Sequence, residues 1–172
     1  LTYEFENIPA PTVQAVEQLL PVHPSSEVLA VTQDRLLEHA FLQRLGIPTA
    51  PGRAISAPEQ IPAALQALGT PARLKTARGG YDGGGQWRIT DSIPSPLPLQ
   101  PMLLEREVCF EREVSVVICR SSTGEIQCFP MFENRHHQGI LVETLCPARV
   151  SPALLQQGQE IAQTLANEIG RA

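Results

Sequence analysis

Residues 72–90, ARLKTARGGYDGGGQWRIT, constrain the fold more than any other stretch of the sequence. An apolar run carrying a lysine (Ala72, Leu74, Lys75) leads into Gly79, Gly80, Gly83, Gly84 and Gly85, with Tyr81 and Asp82 set among them. Gln86-Trp87-Arg88-Ile89 then reads as a returning strand. Strand, glycine loop and strand make a hairpin with a mobile tip. Five glycines in seven residues carry a large entropic cost on folding. In exchange the backbone can approach a ligand closely and turn its N–H groups toward anionic oxygens. Lys75 enters the loop where its ammonium can reach the same anion. A plain mobile turn is the alternative for a glycine cluster by itself, and Lys75, Tyr81 and Asp82 at fixed offsets argue against it. A Walker loop is excluded, because there the lysine follows the glycines and opens a helix.

A chain of 172 residues can bury a real core. Charged residues are 18% of the chain and the net charge is −5, with no Lys/Arg block, so there is no nucleic-acid footprint. No apolar run reaches transmembrane length. Cys109, Cys119, Cys128 and Cys146 show neither a CxxC pair nor zinc spacing, and three lie in strand-like runs, so they read as buried thiols of a reducing compartment. The chain begins at Leu1 without a methionine and stops just past a helix ending near Gly170, as a piece of something longer would.

Leu1 to Phe5 alternates like a strand, and Glu4, Glu6 and Asn7 cluster at its carboxyl end, where ligand sites of open α/β sheets lie, although from the pattern alone a solvated strand end is an equal alternative. Thr12 is placed to cap a short helix that Pro21 stops. Thr32 is the expected N-cap of a helix carrying Leu36, Leu37, Ala40, Phe41 and Leu45, closed by Gly46. Arg35 falls in its first turn, where the helix dipole disfavours a cation; an anion could hold it there, although a solvated surface arginine is the commoner case. Ser56, Pro58 and Glu59 offer a helix start, but Pro62 in a helix interior would cost about 3 kcal/mol, so the helix begins near Gln60 with Pro62 in its first turn. Residues 91–101 hold four prolines and no periodicity and read as an irregular connector. Met102 to Glu105, Glu113 to Ile118, Ile126 to Phe132 and Gly139 to Cys146 read as strands, and residues 133–138 as a polar connection. Adjacent His136 and His137 point opposite ways in an extended segment, which argues against a metal pair. Ser151 caps a last helix with Leu154, Leu155, Ile161, Ala162, Leu165 and Ile169 as its apolar stripe.

Taken in order, these motifs resemble the ATP-grasp superfamily, and within it the 5-(carboxyamino)imidazole ribonucleotide synthase family. Thr2-Tyr3-Glu4-Phe5-Glu6-Asn7 is similar to that family's T-x-E-F-E signature, and Gln33-Asp34-Arg35 with Phe41-Leu42 to its helix before the lid. Gly80 to Gln86 is similar to its glycine loop, with Gly84 where the family usually has Lys or Arg. Glu113-Val114-Ser115 and Asn134-x-His136 resemble later motifs. The resemblance implies an α+β fold, a partial ATP-grasp fold preceded by the tail of a Rossmann-like domain. The implied division is 1–32 (tail and linker), 33–104 (lid subdomain) and 105–172 (start of the core).

Roles follow from the resemblance. Arg35 and Lys75 would contact ATP phosphates, and Gly80, Tyr81, Asp82, Gly83, Gly84, Gly85 and Gln86 would fold over them. Glu105, Arg106, Glu107 and Val108 would line the adenine, Glu113 would hold the ribose, and His136 would contact the nucleotide. Tyr81 and Asp82 would also serve the aminoimidazole ribonucleotide, with Glu4 assisting; Lys75, Tyr81 and Asp82 are the catalytic candidates. The implied reaction carboxylates that ribonucleotide with bicarbonate and ATP, in purine biosynthesis. Its Mg²⁺ ligands are expected beyond Ala172, so this chain alone is expected to be inactive. A cytoplasmic, homodimeric parent enzyme is implied, with no membrane or nucleic-acid partner. The alternatives are another ATP-grasp carboxylase or ligase, such as a formate-dependent glycinamide ribonucleotide transformylase, or a non-catalytic nucleotide-binding module.

Overall fold

The computed structural model describes residues 1–80 and 83–169; Tyr81, Asp82 and residues 170–172 lie outside it. Backbone contacts divide the chain into two compact units, Leu1–Val108 and Cys109–Ala172.

The first unit opens with three helices, α1 (Ala10–Glu17), α2 (Ser26–Thr32) and α3 (Arg35–Arg44). The expected strand at Leu1 to Phe5 is absent. Its alternation has no neighbouring strand to complete it. Instead the Leu1 ammonium donates to the Pro21 carbonyl (2.8 Å), and Tyr3 and Ile8 pack on Val13, Val22 and Leu29. Pro9, not Thr12, occupies the N-cap of α1. Thr32 is not the cap of α3 either. It ends α2, an unexpected helix, and its hydroxyl donates to the Val28 carbonyl (3.1 Å). Asp34 is the cap, accepting from the N–H groups of Leu36 (3.0 Å) and Leu37 (3.4 Å). A carboxylate fixed at a helix start also suits the dipole better than a hydroxyl.

An antiparallel four-stranded sheet follows, formed by β1 (Gly52–Ile55), β2 (Ala72–Thr76), β3 (Gln86–Ile89) and β4 (Met102–Arg106) in the order β1-β4-β2-β3. Between β1 and β2, a single 3-10 turn at Pro58–Gln60 leads into α4 (Ile61–Leu68), with Pro62 in its first turn as expected. The Gln60 side chain accepts from the Ser56 (2.8 Å) and Ala57 (3.3 Å) N–H groups, which fixes the entry. Gly69, at φ +84°, turns the chain out of the helix. Alternation along β2 buries Ala72, Leu74 and Thr76 on one face and leaves Arg73 and Lys75 half-exposed on the other. The buried face packs Leu74, Met102, Leu104, Ile55 and Ile89 against Ile61, Ala64 and Leu68 of α4. Directly opposite residues of an antiparallel pair share a face. Trp87, opposite Leu74, therefore lies on the α4 side, and Gln86 and Arg88 lie on the lysine side.

In the second unit, β5 (Glu113–Ser115), β8 (Phe132–His137) and β9 (Ile140–Leu145) form one antiparallel sheet in the order β5-β8-β9. A second pairing joins β6 (Ile118–Arg120) to β7 (Ile126–Cys128), and α5 (Pro152–Ile169) follows. Several expectations are corrected here. The run 113–118 is not one strand: it breaks at Val116-Val117, because β5 pairs with β8 while β6 pairs with β7. The run 126–132 breaks after Cys128, where Pro130 cannot donate to a ladder. Residues 133–137 are strand, not connection. The turn is Gln138-Gly139, both at positive φ (+53° and +82°), the geometry of a tight hairpin. Ser151 caps α5, accepting from the Leu154 N–H (3.2 Å). Ala162 and Ala166 are its buried residues, while Leu154 is exposed. Cys109, Cys119 and Cys146 are exposed and Cys128 is half-buried, so the expected set of buried thiols is not present. Cys109 and Cys146 lie outside the strands, and Cys119 and Cys128 lie on the two-stranded β6–β7 pair.

Candidate functional site

The lysine face of the four-stranded sheet gathers the chemistry. The Lys75 ammonium lies 2.6 Å from a Glu105 carboxylate oxygen of β4. Glu105 stands opposite Arg73 in the β2–β4 register, so the carboxylate shares the face of Arg73 and Lys75. Arg35 docks the start of α3 onto the end of β2. Its backbone N–H donates to the Ala77 carbonyl (2.9 Å) and its guanidinium to the Thr76 carbonyl (3.0 Å). No anion is needed to hold it there, since backbone carbonyls do so. A Cβ at Gly80 would lie 3.2 Å from that guanidinium and 3.0 Å from the Gly84 carbonyl, so a side chain there would press on both. Gly79, Gly83 and Gly85 all have positive φ.

Glu38, one turn after Arg35 on α3, joins this group. Desolvation pushes its carboxyl up from the usual range. Arg35 and Lys75 pull the other way, and the neighbouring Glu105 carboxylate pushes further up. Further along the face, Glu107 stands between Arg73 (2.7 Å) and Arg88 (2.8 Å). The Arg88 hydrogen bond, with help from Arg73, holds its carboxyl below the usual range.

The loop's base is tied to the N-terminal segment. Arg78 pairs with Asp34 (2.8 Å) and donates to the Gln33 side-chain carbonyl (3.1 Å). The Gln33 amide donates in turn to the carbonyls of Glu6 (3.3 Å) and Ile8 (3.2 Å). Beside them a cavity of about 1000 Å³ is lined by Phe5, Asn7, Gln33, Arg78, Trp87 and Leu97 among others. It opens on the Trp87 side of the sheet, away from Lys75. The Thr76 hydroxyl, at its edge, is buried without a hydrogen-bond partner.

The sequence-derived candidates divide as follows. Arg35, Lys75, Gly80 and Glu105 come together, with Gly83, Gly84, Gly85 and Gln86 in the adjoining loop and strand. Arg106 and Glu107 follow in the same unit, but their backbone N–H groups are committed to the Pro51 (2.9 Å) and Pro71 (3.0 Å) carbonyls. The Arg106 side chain donates to the Leu68 carbonyl (2.8 Å), away from any ligand. Val108 is half-exposed at the end of the unit. Glu4 is exposed; its neighbours Phe5 and Asn7, not Glu4 itself, line the cavity. Tyr81 and Asp82 lie outside the described residues. Glu113 and His136 belong to the second unit, where His136 Nδ1 meets a Glu113 oxygen at 2.9 Å. They sit in a cavity of about 430 Å³ with Arg112, Glu133 and Arg149. Among the described residues, no three His, Cys, Asp or Glu side chains are grouped to hold a metal ion.

Sequence reasoning missed Glu38, Arg73 and Arg88. Strand alternation places Arg73 and Arg88 on the lysine face, and helical spacing places Glu38 beside Arg35, so the signal was available in both periodicities.

A family model described as an ATP-grasp domain matches residues 40–172. The N5-carboxyaminoimidazole ribonucleotide synthase of Bacillus subtilis is 37% identical over 98% of this chain and 46% of its own length. A solved N5-carboxyaminoimidazole ribonucleotide synthetase in complex with ADP superposes with a TM-score of 0.91 at 37% identity, covering 97% of this chain and 46% of that one. An Aspergillus clavatus N5-carboxyaminoimidazole synthase in complex with ADP and 5-aminoimidazole ribonucleotide has a TM-score of 0.88 at 25% identity, covering 98% and 45%. The chain spans about half the length of the relatives it matches. These are the proteins that the motif order pointed to.

Proposed function

Because the chain belongs to the ATP-grasp family, we propose that it supplies the lid and the first core strands of an enzyme that carboxylates 5-aminoimidazole ribonucleotide with bicarbonate and ATP. The observation that carries this reading is the lysine face, where Lys75 and Glu105 pair and Arg35 docks beside a glycine loop that passes close to its guanidinium at Gly80. Phosphoryl transfer asks a protein for positioned cations and a cover that excludes water. Lys75 and Arg35 supply the cations, and the 79–85 loop the cover. The relatives' names and the ADP and ribonucleotide complex support the choice of substrate.

In this reading a bicarbonate oxygen attacks the γ-phosphorus of ATP, and the bond to the β–γ bridging oxygen breaks to release ADP. The exocyclic amine of the ribonucleotide then attacks the carbon of carboxyphosphate. Phosphate leaves with the C–O bonding pair and the amine loses a proton. Arg35 and Lys75 meet the phosphates, the backbone near Val108 meets the adenine, and Glu113 and His136 the ribose and nucleotide. Tyr81, Asp82 and Glu4 serve the ribonucleotide. Residues 1–32 are the tail of a Rossmann-like domain, and the whole enzyme is a cytoplasmic homodimer. Mg²⁺ would neutralise charge between the β- and γ-phosphates. The described carboxylates Glu105 and Glu107 of the lysine face do not suit it, since both are paired with cations.

The test is ADP formation by the full-length protein with ATP, bicarbonate and 5-aminoimidazole ribonucleotide. ADP release that requires both co-substrates is expected. Release that instead requires formate and glycinamide ribonucleotide would overturn the reading. The isolated 172-residue chain should release no ADP in a bicarbonate-dependent way.

A further inference from the structure

The Glu107 side chain is fully committed within its own unit. Arg73 and Arg88 stand directly opposite each other on β2 and β3, an arrangement that repels by itself. Glu107 resolves it by standing between them. One carboxylate oxygen accepts from Arg73 Nε (2.8 Å) and Arg88 Nε (2.9 Å), and the other also accepts from Arg88 Nε (2.8 Å). The terminal guanidinium nitrogens close the clamp at 2.7 Å for Arg73 and 2.8 Å for Arg88. Such multidentate, charge-assisted contacts fix geometry as well as adding energy.

The backbone is fixed at the same place. Arg106 N–H reaches the Pro51 carbonyl, Glu107 N–H the Pro71 carbonyl, and the Arg106 side chain the Leu68 carbonyl. Residues 106 and 107 are thus pinned to the start of β1, the end of α4, and both strands of the lid hairpin. The two N–H groups so used are withdrawn from any ligand. The next residue, Val108, is half-exposed and is the last of the unit.

We infer that Glu107 is a positioning residue for nucleotide base selection: clamped by Arg73 and Arg88, it holds the peptide groups that lead into Val108 as a rigid edge against the adenine. This rests on the proposed ATP-dependent reading. An edge that offers a carbonyl to the adenine amino group and an N–H to the ring nitrogen suits adenine. Guanine presents the opposite pair, a carbonyl and a ring N–H, and leaves both protein groups unsatisfied. Discrimination of this kind depends on polar groups held in place. A side chain that touches no ligand can therefore set selectivity by removing the edge's freedom.

The experiment compares wild type with Glu107→Gln, Glu107→Ala, and both in an Arg73→Met/Arg88→Met background, all in the full-length protein. The readouts are KM and kcat for ATP, the ratio of kcat/KM for ATP to that for GTP, and thermal stability. Glu107→Ala should raise KM for ATP about tenfold and lower the ATP preference about tenfold, with kcat changed less than about twofold. The Arg73→Met/Arg88→Met protein should show the same loss, and adding Glu107→Ala to it should cost nothing more. An unchanged ATP preference in the Glu107 variants, even with lowered stability, would overturn the inference and leave the clamp a structural feature. A full Glu107→Ala loss in the double-arginine background would also overturn it, because Glu107 would then contact the nucleotide itself. If Glu107→Ala does not fold, the isosteric Glu107→Gln carries the same comparison. A wild-type protein that neither binds nor uses ATP would instead remove the reading on which the inference rests.

Discussion

Replacing Gly85 with alanine tests whether the lid loop is built around Thr76. Gly85 has φ +70°, and a Cβ there would lie 2.6 Å from the Thr76 hydroxyl oxygen. Neither partner can easily withdraw. Thr76 is buried (3% exposed) and its N–H is bonded to the Gly85 carbonyl at 2.8 Å. Its β-branched side chain is also stiff at χ1. Left-handed backbone costs a non-glycine residue about 1–2 kcal/mol. The forced displacement of a packed neighbour adds about 1–3 kcal/mol. Reduced freedom of the unfolded chain returns about 0.4–1 kcal/mol. The net destabilisation is therefore about 1–5 kcal/mol, centred near 3. Gly79 supplies the control: its φ is +73°, but an added Cβ meets nothing within 4 Å. Gly79→Ala should cost only the strain less the entropy gain, about 1 kcal/mol.

Trp87 makes the measurement selective. It is the chain's only tryptophan, it lies two residues from Gly85, and it packs on the core of the first unit. Urea unfolding followed by its fluorescence thus reports that unit. Equal destabilisation by Gly85→Ala and Gly79→Ala would refute the reasoning, since backbone strain would then explain everything. A Thr76→Ala background should remove most of the difference between them. A difference that persists there would show that the obstruction is not the threonine.

Three further outcomes follow from the same geometry. Lys75→Ala should weaken ATP binding of the full-length protein by tenfold or more, on the order of one charge-assisted contact, while circular dichroism stays unchanged; wild-type affinity would rule out its phosphate role. Glu38 has a raised folded pKa from desolvation, so its protonated form favours the fold. Stability from it is present below the unfolded pKa and lost as pH rises through the folded value, and Glu38→Gln should therefore stabilise the chain at neutral pH but not near pH 4, as read by melting at each pH. Amide exchange at Gly79, Gly80 and Gly83 should be fast without nucleotide and slower with ATP bound to the full-length protein; strong protection without nucleotide would contradict a moving lid.

The elements legible in the sequence are those whose local and tertiary signals agree. The β2–β3 hairpin combines apolar alternation with a glycine loop, α4 combines an apolar stripe with proline and glycine at its two ends, and each signal holds in the fold. The N-terminus was misread because Leu1 to Phe5 alternates without a partner strand, and alternation by itself does not specify pairing. Thr32 was misread because hydroxyl and carboxylate caps stand two residues apart, and only the break between α2 and α3 selects Asp34. Val114, Val116, Val117 and Ile118 are all β-branched, so nothing local records that the chain changes sheets at Val116-Val117. The site followed the same rule. Lys75 and the glycines stand out as residue types. The carboxylates that face them come from β4, the chain after it, and α3, and require the register to be known.

The charges of the lysine face are not there to stabilise the lid. Exposed ion pairs contribute little to folding, and the α4 face already carries the apolar core. A face that only had to fold would be covered or would carry scattered charge. Here Arg73, Lys75 and Arg88 alternate with Glu105 and Glu107 across adjoining strands, with Arg35 and Glu38 beside them. The pairing is uneven in what it leaves movable. Glu107 is held by two arginines and by its own backbone, whereas Glu105 holds Lys75 through a single 2.6 Å contact. In the proposed function, a phosphate would compete for Lys75 with one carboxylate, and would bring more charge and more acceptor oxygens than that carboxylate offers. Lys75 can therefore change partners while the Glu107 clamp does not move. Without a phosphate, Glu105 holds the half-shielded lysine on the strand, so in the proposed function the cation is in position before its ligand arrives.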